Sequence, residues 1–312
     1  MTDTRLLFST RIIRLFCYGF LSIVLALYLV RVGLSEKEIG LLFTLTLAGD
    51  AAISLWLTTS ADRFGRRRVL LVGALLMAGA GFVFILTKQP VILMAAAIVG
   101  VISPSGNEIG PFLSVEQAAL SQLVPDNRRT QIFAWYNLAG SFATASGALA
   151  GGWLAQWLQN NGLPVIDSYR VVLFGYAAGG VILLILFLFV SRAVEVPLLE
   201  QTTYNGKRTF GLGKSRGIIF KLSALFALDA FGGALIVQSL IAFWFQKRFG
   251  VEPGLIGSIF FGANILAGFS ALLAGRIANK FGLINTMVFT HIPSNILLML
   301  VPLMPTLPLA IL

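Results

Sequence analysis

The chain has 312 residues, of which 57% are hydrophobic and only 12% charged, and its mean hydropathy is +0.87. A soluble domain of this length carries about twice that charge, so the composition excludes a large soluble core and describes an all-α polytopic membrane protein whose solvent is lipid. The net charge of +10 does not mark a nucleic-acid binder, because the basic residues sit at the ends of apolar runs rather than on one soluble face.

A membrane crossing needs about 20 residues. By that measure the chain holds nine, over 8–30, 39–58, 69–87, 91–113, 130–157, 170–190, 217–245, 254–274 and 285–301. The first reads as a retained span, since Arg5, Arg11 and Arg14 precede an apolar stretch that reaches Val30 with no small-residue cleavage pattern after it. Cys17, the single cysteine, lies inside that span and reads as packing. The longest polar segment, Ser191 to Arg216, contains "TTYNGKR" and "GLGKSR" and has the composition of a flexible linker. A last apolar run opens near Pro305 and reaches Leu312 without a polar flank, the pattern of a chain cut short. The expected organisation is an N-terminal six-helix bundle over 1–190, a cytoplasmic linker over 191–216, and an incomplete C-terminal bundle of three to four spans over 217–312.

Orientation follows from Lys and Arg. With the N-terminus in the cytoplasm, 17 of the 23 basic residues face inward and 6 outward, the sign of the positive-inside bias.

The second bundle repeats the first. Residues 31–65 slide onto 248–282 at an offset of 217 without a gap. "RVGLSEKEIG" then meets "RFGVEPGLIG", and "ADRFG" meets "ANKFG". A doubled set of spans points to a transporter built from two related halves.

Between the second and third spans lies the densest charge in the chain, "SADRFGRRRV". It resembles the loop between spans two and three of major facilitator superfamily transporters, roughly G-x-x-x-D-R-x-G-R-R/K. Asp62, Arg63, Gly65, Arg66 and Arg67 match; Thr58 stands at the leading glycine, which the second copy keeps as Gly275. The resemblance implies a two-bundle fold and a loop that latches the cytoplasmic side in one transport state, with Asp62 meeting a helix N-terminus or an arginine of the other bundle. A loop that only enforces orientation is the alternative. Span five carries "SGALAGG", which resembles the G-P-x-x-G-G motif of the family's antiporters with Ala148 at the proline position; close backbone packing at Gly147, Gly151 and Gly152 is the other reading.

Ionisable groups at membrane depth cost about 2.5–3.5 kcal/mol or more each, so they mark function by default. Asp50 falls near the middle of span two, on one face with Thr46 and Ser54. It is a candidate proton carrier, because a low-dielectric surrounding favours the neutral acid, or else an acid that packs against a neighbouring helix. Arg14, Glu108 and Asp229 fall in the cytoplasmic third of spans one, four and seven, which line the central cavity in the family fold. Arg14 pairs with Glu108 or Asp229, or reaches the headgroups instead. "SPSGNEIGPF", from Ser103, places two prolines and two glycines around Asn107 and Glu108, which predicts a broken helix beside a substrate or ion site, or else an early helix end. Trp135 and Tyr136 could stack a flat substrate or anchor a span end.

The expected function is secondary active transport of a small organic molecule by alternating access, as proton-coupled export, with uptake by symport or uniport and a non-transporting scaffold as alternatives. The protein is expected to act as a monomer in the plasma membrane, or the inner membrane if bacterial, with protons as partners and no nucleic acid. One histidine and one cysteine leave little for a metal centre, and no phosphate loop or nucleophile–base constellation supports an enzyme. No cofactor is expected.

Overall fold

In the computed structural model, which describes residues 3–195, 216–234 and 236–311, every regular element is helical. The first bundle comprises α1 (Asp3–Ser22), α2 (Leu25–Val32), α3 (Glu36–Phe64), α4 (Arg66–Leu86), α5 (Pro90–Val99), α6 (Phe112–Leu123), α7 (Asp126–Asn160) and α8 (Val165–Leu188). The second comprises α9 (Arg216–Ala234), α10 (Gln238–Phe249), α11 (Pro253–Phe281), α12 (Leu283–Leu300) and the short α13 (Leu307–Ile311). Of the linker, residues 196–215 lie outside the described residues.

The helices α3, α4, α8 and α11 and the segment Ile284–Leu303 are long and apolar enough to cross a membrane unbroken; α1 and α2 make one further crossing bent by 45°. Spans one, four and seven are therefore not the continuous rods that a run of apolar residues suggests. Span four separates into α5 and α6 across residues 100–111, where Pro104, Gly106, Gly110 and Pro111 remove hydrogen bonds or permit left-handed backbone. Span seven separates between α9 and α10.

The internal repeat is visible in the backbone. The helices α3 and α11 are both 29 residues long and start and end at the same offset of 217. Each is preceded by a left-handed glycine, Gly33 at φ 104° and Gly250 at φ 67°, and followed by another, Gly65 at φ 99° and Gly282 at φ 84°. These conformations are open to glycine and strained for other residues, which is why the turns recur with their glycines. Only the first copy has a capping box: the Ser35 hydroxyl accepts from the Glu38 N–H, and the Glu38 carboxylate accepts from the Ser35 N–H. The second copy starts α11 with Pro253.

The core of the first bundle forms around α1 and α2, in which residues 20–29 are all buried. Helix α1 lies against α7 at a distance only glycine allows. A Cβ at Gly147 would collide with the Phe16 carbonyl, one at Gly151 with the Phe20 carbonyl, and one at Gly19 with the Thr144 carbonyl. One position on, Gly152 faces α11, where a Cβ would meet the Pro253 carbonyl and Gly257. Gly147 and Gly151 thus lie at contacts inside the first bundle, and Gly152 at the contact between bundles.

Between the bundles, hydrogen bonds among the described residues gather at the helix breaks and at the end opposite the arginine-rich loop. The Ser239 N–H donates to the Pro104 carbonyl (2.9 Å), and Gln238 Nε2 donates to Ser22 Oγ (2.8 Å). Farther out, the Gly254 N–H donates to Gln156 Oε1 (2.9 Å), Gln156 Nε2 donates to the Glu252 carboxylate, Trp153 Nε1 donates to Ser258 Oγ (3.0 Å), and Lys247 pairs with Glu36.

Candidate functional site

A charged cluster sits where α1 faces the break in span four. The Arg14 guanidinium is fully buried. It donates through Nη1 and Nη2 to the two oxygens of Glu116 (2.8 and 2.7 Å) and through Nε to Glu108 Oε1 (2.7 Å), and it lies 4.5 Å from the centre of the Phe112 ring. Glu116, on α6, is equally buried and takes two further donors, the Thr10 hydroxyl (3.0 Å) and the Tyr136 hydroxyl. Every acceptor site on that carboxylate is thereby used, which is what makes a buried ion pair tolerable.

The second carboxylate differs. Glu108 projects from the non-helical stretch before α6 and keeps 12% of its side chain exposed. Its other oxygen lies 3.0 Å from Arg11 Nη1, close enough for an ion pair yet out of line for a hydrogen bond. Arg11 sits on the Tyr136 ring, 4.2 Å from its centre, and donates through Nη2 to Asn137 Oδ1 at 3.3 Å. Two guanidinium groups thus face two carboxylates, one pair closed and one pair open. Among the described residues Arg14 pairs with Glu108 and Glu116. The side chain of Asp229 lies outside the described residues.

Asp50 approaches the same break from α3. Its Oδ1 accepts the Gly110 N–H (2.7 Å) and the Ser54 hydroxyl (3.1 Å). Gly110 has φ 80°, and this left-handed turn aims its N–H at the acid. Asp50 is half-buried and has no cationic partner among the described residues, unlike Glu108 and Glu116. Of its expected companions, Ser54 touches it, while Thr46 instead bonds the Leu42 carbonyl one turn back. Asn107 is exposed beside Glu108. Tyr136 is spent on Arg11 and Glu116, so it offers no free ring face to a flat molecule; Trp135 is exposed.

Among the described residues the hinge loop makes its contacts within the first bundle and with the start of the linker, not with the second bundle. Asp62 is 68% exposed and pairs with Arg66 one turn on (3.0 Å). The N-terminus of α4 is capped from a distance: the Glu195 carboxylate accepts the N–H groups of Arg66 (2.7 Å) and Arg67 (3.1 Å). The Arg66 guanidinium also reaches Gln122 and the Val194 carbonyl, and Arg67 donates to the Phe187 carbonyl (3.2 Å). Arg63 has no ion-pair partner among the described residues. Replacing Glu195 with alanine strands two helix N–H groups, and we expect about 1 kcal/mol of lost stability, read as a lower thermal midpoint in detergent.

Sequence reading missed Arg11, Glu116 and Glu195. Three interrupted spans, a doubled hinge and a buried ion network together describe a carrier made of two related bundles. The family comparison agrees: the model of the Major Facilitator Superfamily matches residues 7–312, and the chain belongs to that family of transporters. It is 32% identical over 338 residues to an uncharacterized membrane protein of Saccharomyces cerevisiae, a match covering 99% of this chain and 75% of that protein. It is 23% identical over 253 residues to the class B tetracycline resistance protein of Escherichia coli, covering 79% of this chain and 58% of the other. In fold it is similar to the crystal structure of a D-xylose–proton symporter, with a TM-score of 0.59, 18% identity, and coverage of 89% and 69% of the two chains.

Proposed function

We propose that this transporter exports a small organic molecule from the cytoplasm by alternating access, in exchange for protons, and that Asp50 is the proton-carrying group. The observation that carries the reading is an acid within a spanning helix that has no cationic partner among the described residues, held by one backbone N–H and one hydroxyl beside a helix break. Gaining or losing a proton there changes the charge of the cavity without breaking an ion pair, so it can bias the equilibrium between two states. A carboxylate locked as Glu116 is could not do so at comparable cost.

Alternating access is supported by where the bundles touch. Taking the arginine-rich loop as cytoplasmic, the clasp of Gln156, Glu252, Gly254, Trp153 and Ser258 shuts the outer end. In this reading the protein is a plasma-membrane monomer with its N-terminus inside, and Asp62, Arg63, Gly65, Arg66 and Arg67 form a cytoplasmic latch whose resting contacts are the in-bundle ones. Asp229, Asn107 and Glu108 belong to the cargo site in this reading, with Arg14 positioning Glu108. A tetracycline resistance protein among the relatives makes tetracycline a sensible first probe of cargo.

The test uses the full chain in liposomes under an imposed pH gradient. Wild type accumulates tetracycline against its gradient, and collapsing the pH gradient stops it. With Asp50→Asn, gradient-driven accumulation falls to the level of protein-free liposomes, while exchange of labelled for unlabelled cargo persists. Accumulation that survives the substitution would remove Asp50 from coupling. Flux that follows the protons inward would replace export with symport.

A further inference from the structure

Arg11 is the buried cation that its own protein leaves under-used. It is 6% exposed, yet its Nε and Nη1 have no hydrogen-bond acceptor among the described residues. Its one side-chain hydrogen bond among the described residues, to Asn137, is long at 3.3 Å. An arginine carries five N–H donors, and burying them without partners is costly unless something else completes them. Arg14, only three residues on, shows the completed version, with all three nitrogens engaged.

The groups beside Arg11 and Glu108 are open on one side. Asn137 is exposed, Asn107 is exposed, and Glu108 is the less buried of the two carboxylates. Behind Arg11 the path is closed by the Tyr136 ring and by Gly140, where a Cβ would press on Nε. A group arriving from the open side therefore meets the guanidinium between Asn137 and Glu108. We propose that the carrier accepts cargo bearing a carboxylate and that Arg11 holds that group, with Asn137 beside it as a second polar contact. A planar carboxylate matches the planar donor set of a guanidinium. Arg11 already shares the charge of Glu108 at 3.0 Å, so the site has room for one further negative charge at most and disfavours a doubly charged phosphate. The assignment rests on the transport reading and deepens it: an interior-negative membrane potential drives an anion outward, in the direction proposed for export.

The experiment measures binding of benzoate and octanoate to the purified full chain in detergent, by calorimetry and by quenching of tryptophan fluorescence, with uncharged benzamide as control. Wild type binds at least one of the two anions and not benzamide. Arg11→Gln weakens that binding about tenfold or more, Arg11→Lys keeps part of it, and Asn137→Ala has a smaller effect. Each variant is compared with wild type by thermal unfolding, so Arg11→Lys keeps the test valid if Arg11→Gln is misfolded. Absence of anion binding to wild type, or equal binding in folded Arg11→Gln, overturns the assignment. Carboxylate binding that depends on Arg11 but produces no flux in liposomes would overturn the transport reading and leave the site standing. Tetracycline flux unaffected by Arg11→Gln, together with no anion binding to wild type, would do the reverse.

Discussion

Arg14→Met should be the most damaging single substitution in the first bundle. It leaves Glu116, which has no exposed surface, without its cation, and it takes one of the two cationic contacts from Glu108. Removing one partner of a buried ion pair costs about 3–5 kcal/mol, because the remaining charge is stranded in a medium that cannot solvate it. Against a typical total stability of about 5–15 kcal/mol, that loss removes much of the folded population. The expected readout is a sharp fall in the monodisperse fraction after detergent extraction and a strongly lowered thermal midpoint. Glu116→Gln alone should act in the same direction, since Arg14 would then depend on Glu108 alone. Combining Arg14→Met with Glu116→Gln should recover a large part of the loss, because a neutral amide still serves Tyr136 and Thr10 and no charge remains unmatched. If the double variant is as unstable as the sum of the two, the cluster stabilises through packing around Phe112 and Tyr136 rather than through charge pairing.

The Arg14–Glu108 pair was legible because both residues interrupt apolar runs, and a charge at membrane depth needs a partner. Glu116 was not legible for a geometric reason. A depth counted at 1.5 Å per residue holds only along a continuous helix. Residues 100–111 are not helical, so Glu116, which such a count puts beyond the span, falls level with Arg14. The two prolines and two glycines forecast the break but not how far it displaces α6. The apolar neighbours Val115, Ala119 and Leu120, all buried with Glu116, were the available sign that α6 continues as a core helix. Arg11 reads as a flanking charge for similar reasons: the apolar run opens at residue 8, yet α1 runs from Asp3 and packs along its length. The hinge was legible in identity and turn geometry, down to the left-handed Gly65 and its copy Gly282. Its partner Glu195 was not, because nothing in a polar segment says which residue folds back onto a helix end 128 positions away. Clasps such as Gln156 with Gly254 share that difficulty, since polar residues near a span end resemble ordinary interfacial ones.

Adjacent glycines on α7 should separate folding from gating. The helix turns about 100° per residue, so Gly151 and Gly152 present different faces. Gly151 meets the backbone of α1 at Phe20, and α1 is held from its other sides by α6 and α8. A leucine at 151 therefore has nowhere to go, and overpacking against backbone carries a cost of about 1–3 kcal/mol or more. Gly151→Leu is expected to lose the folded first bundle. Gly152 meets Pro253 and Gly257 on α11, which belongs to the other bundle and can move as a body. Gly152→Leu should leave each bundle intact and push the two apart where Trp153 bonds Ser258 and Gln156 bonds Gly254. The same strain then acts on an equilibrium between closed and open outer ends, favouring the open one by about tenfold or more. With Cys17 replaced by alanine and Ser258→Cys introduced as a reporter, a membrane-impermeant maleimide should label the Gly152→Leu protein correspondingly faster than its parent. Normal thermal stability with unchanged labelling would mean that the outer clasp is a fixed joint, and alternating access would then need a different opening.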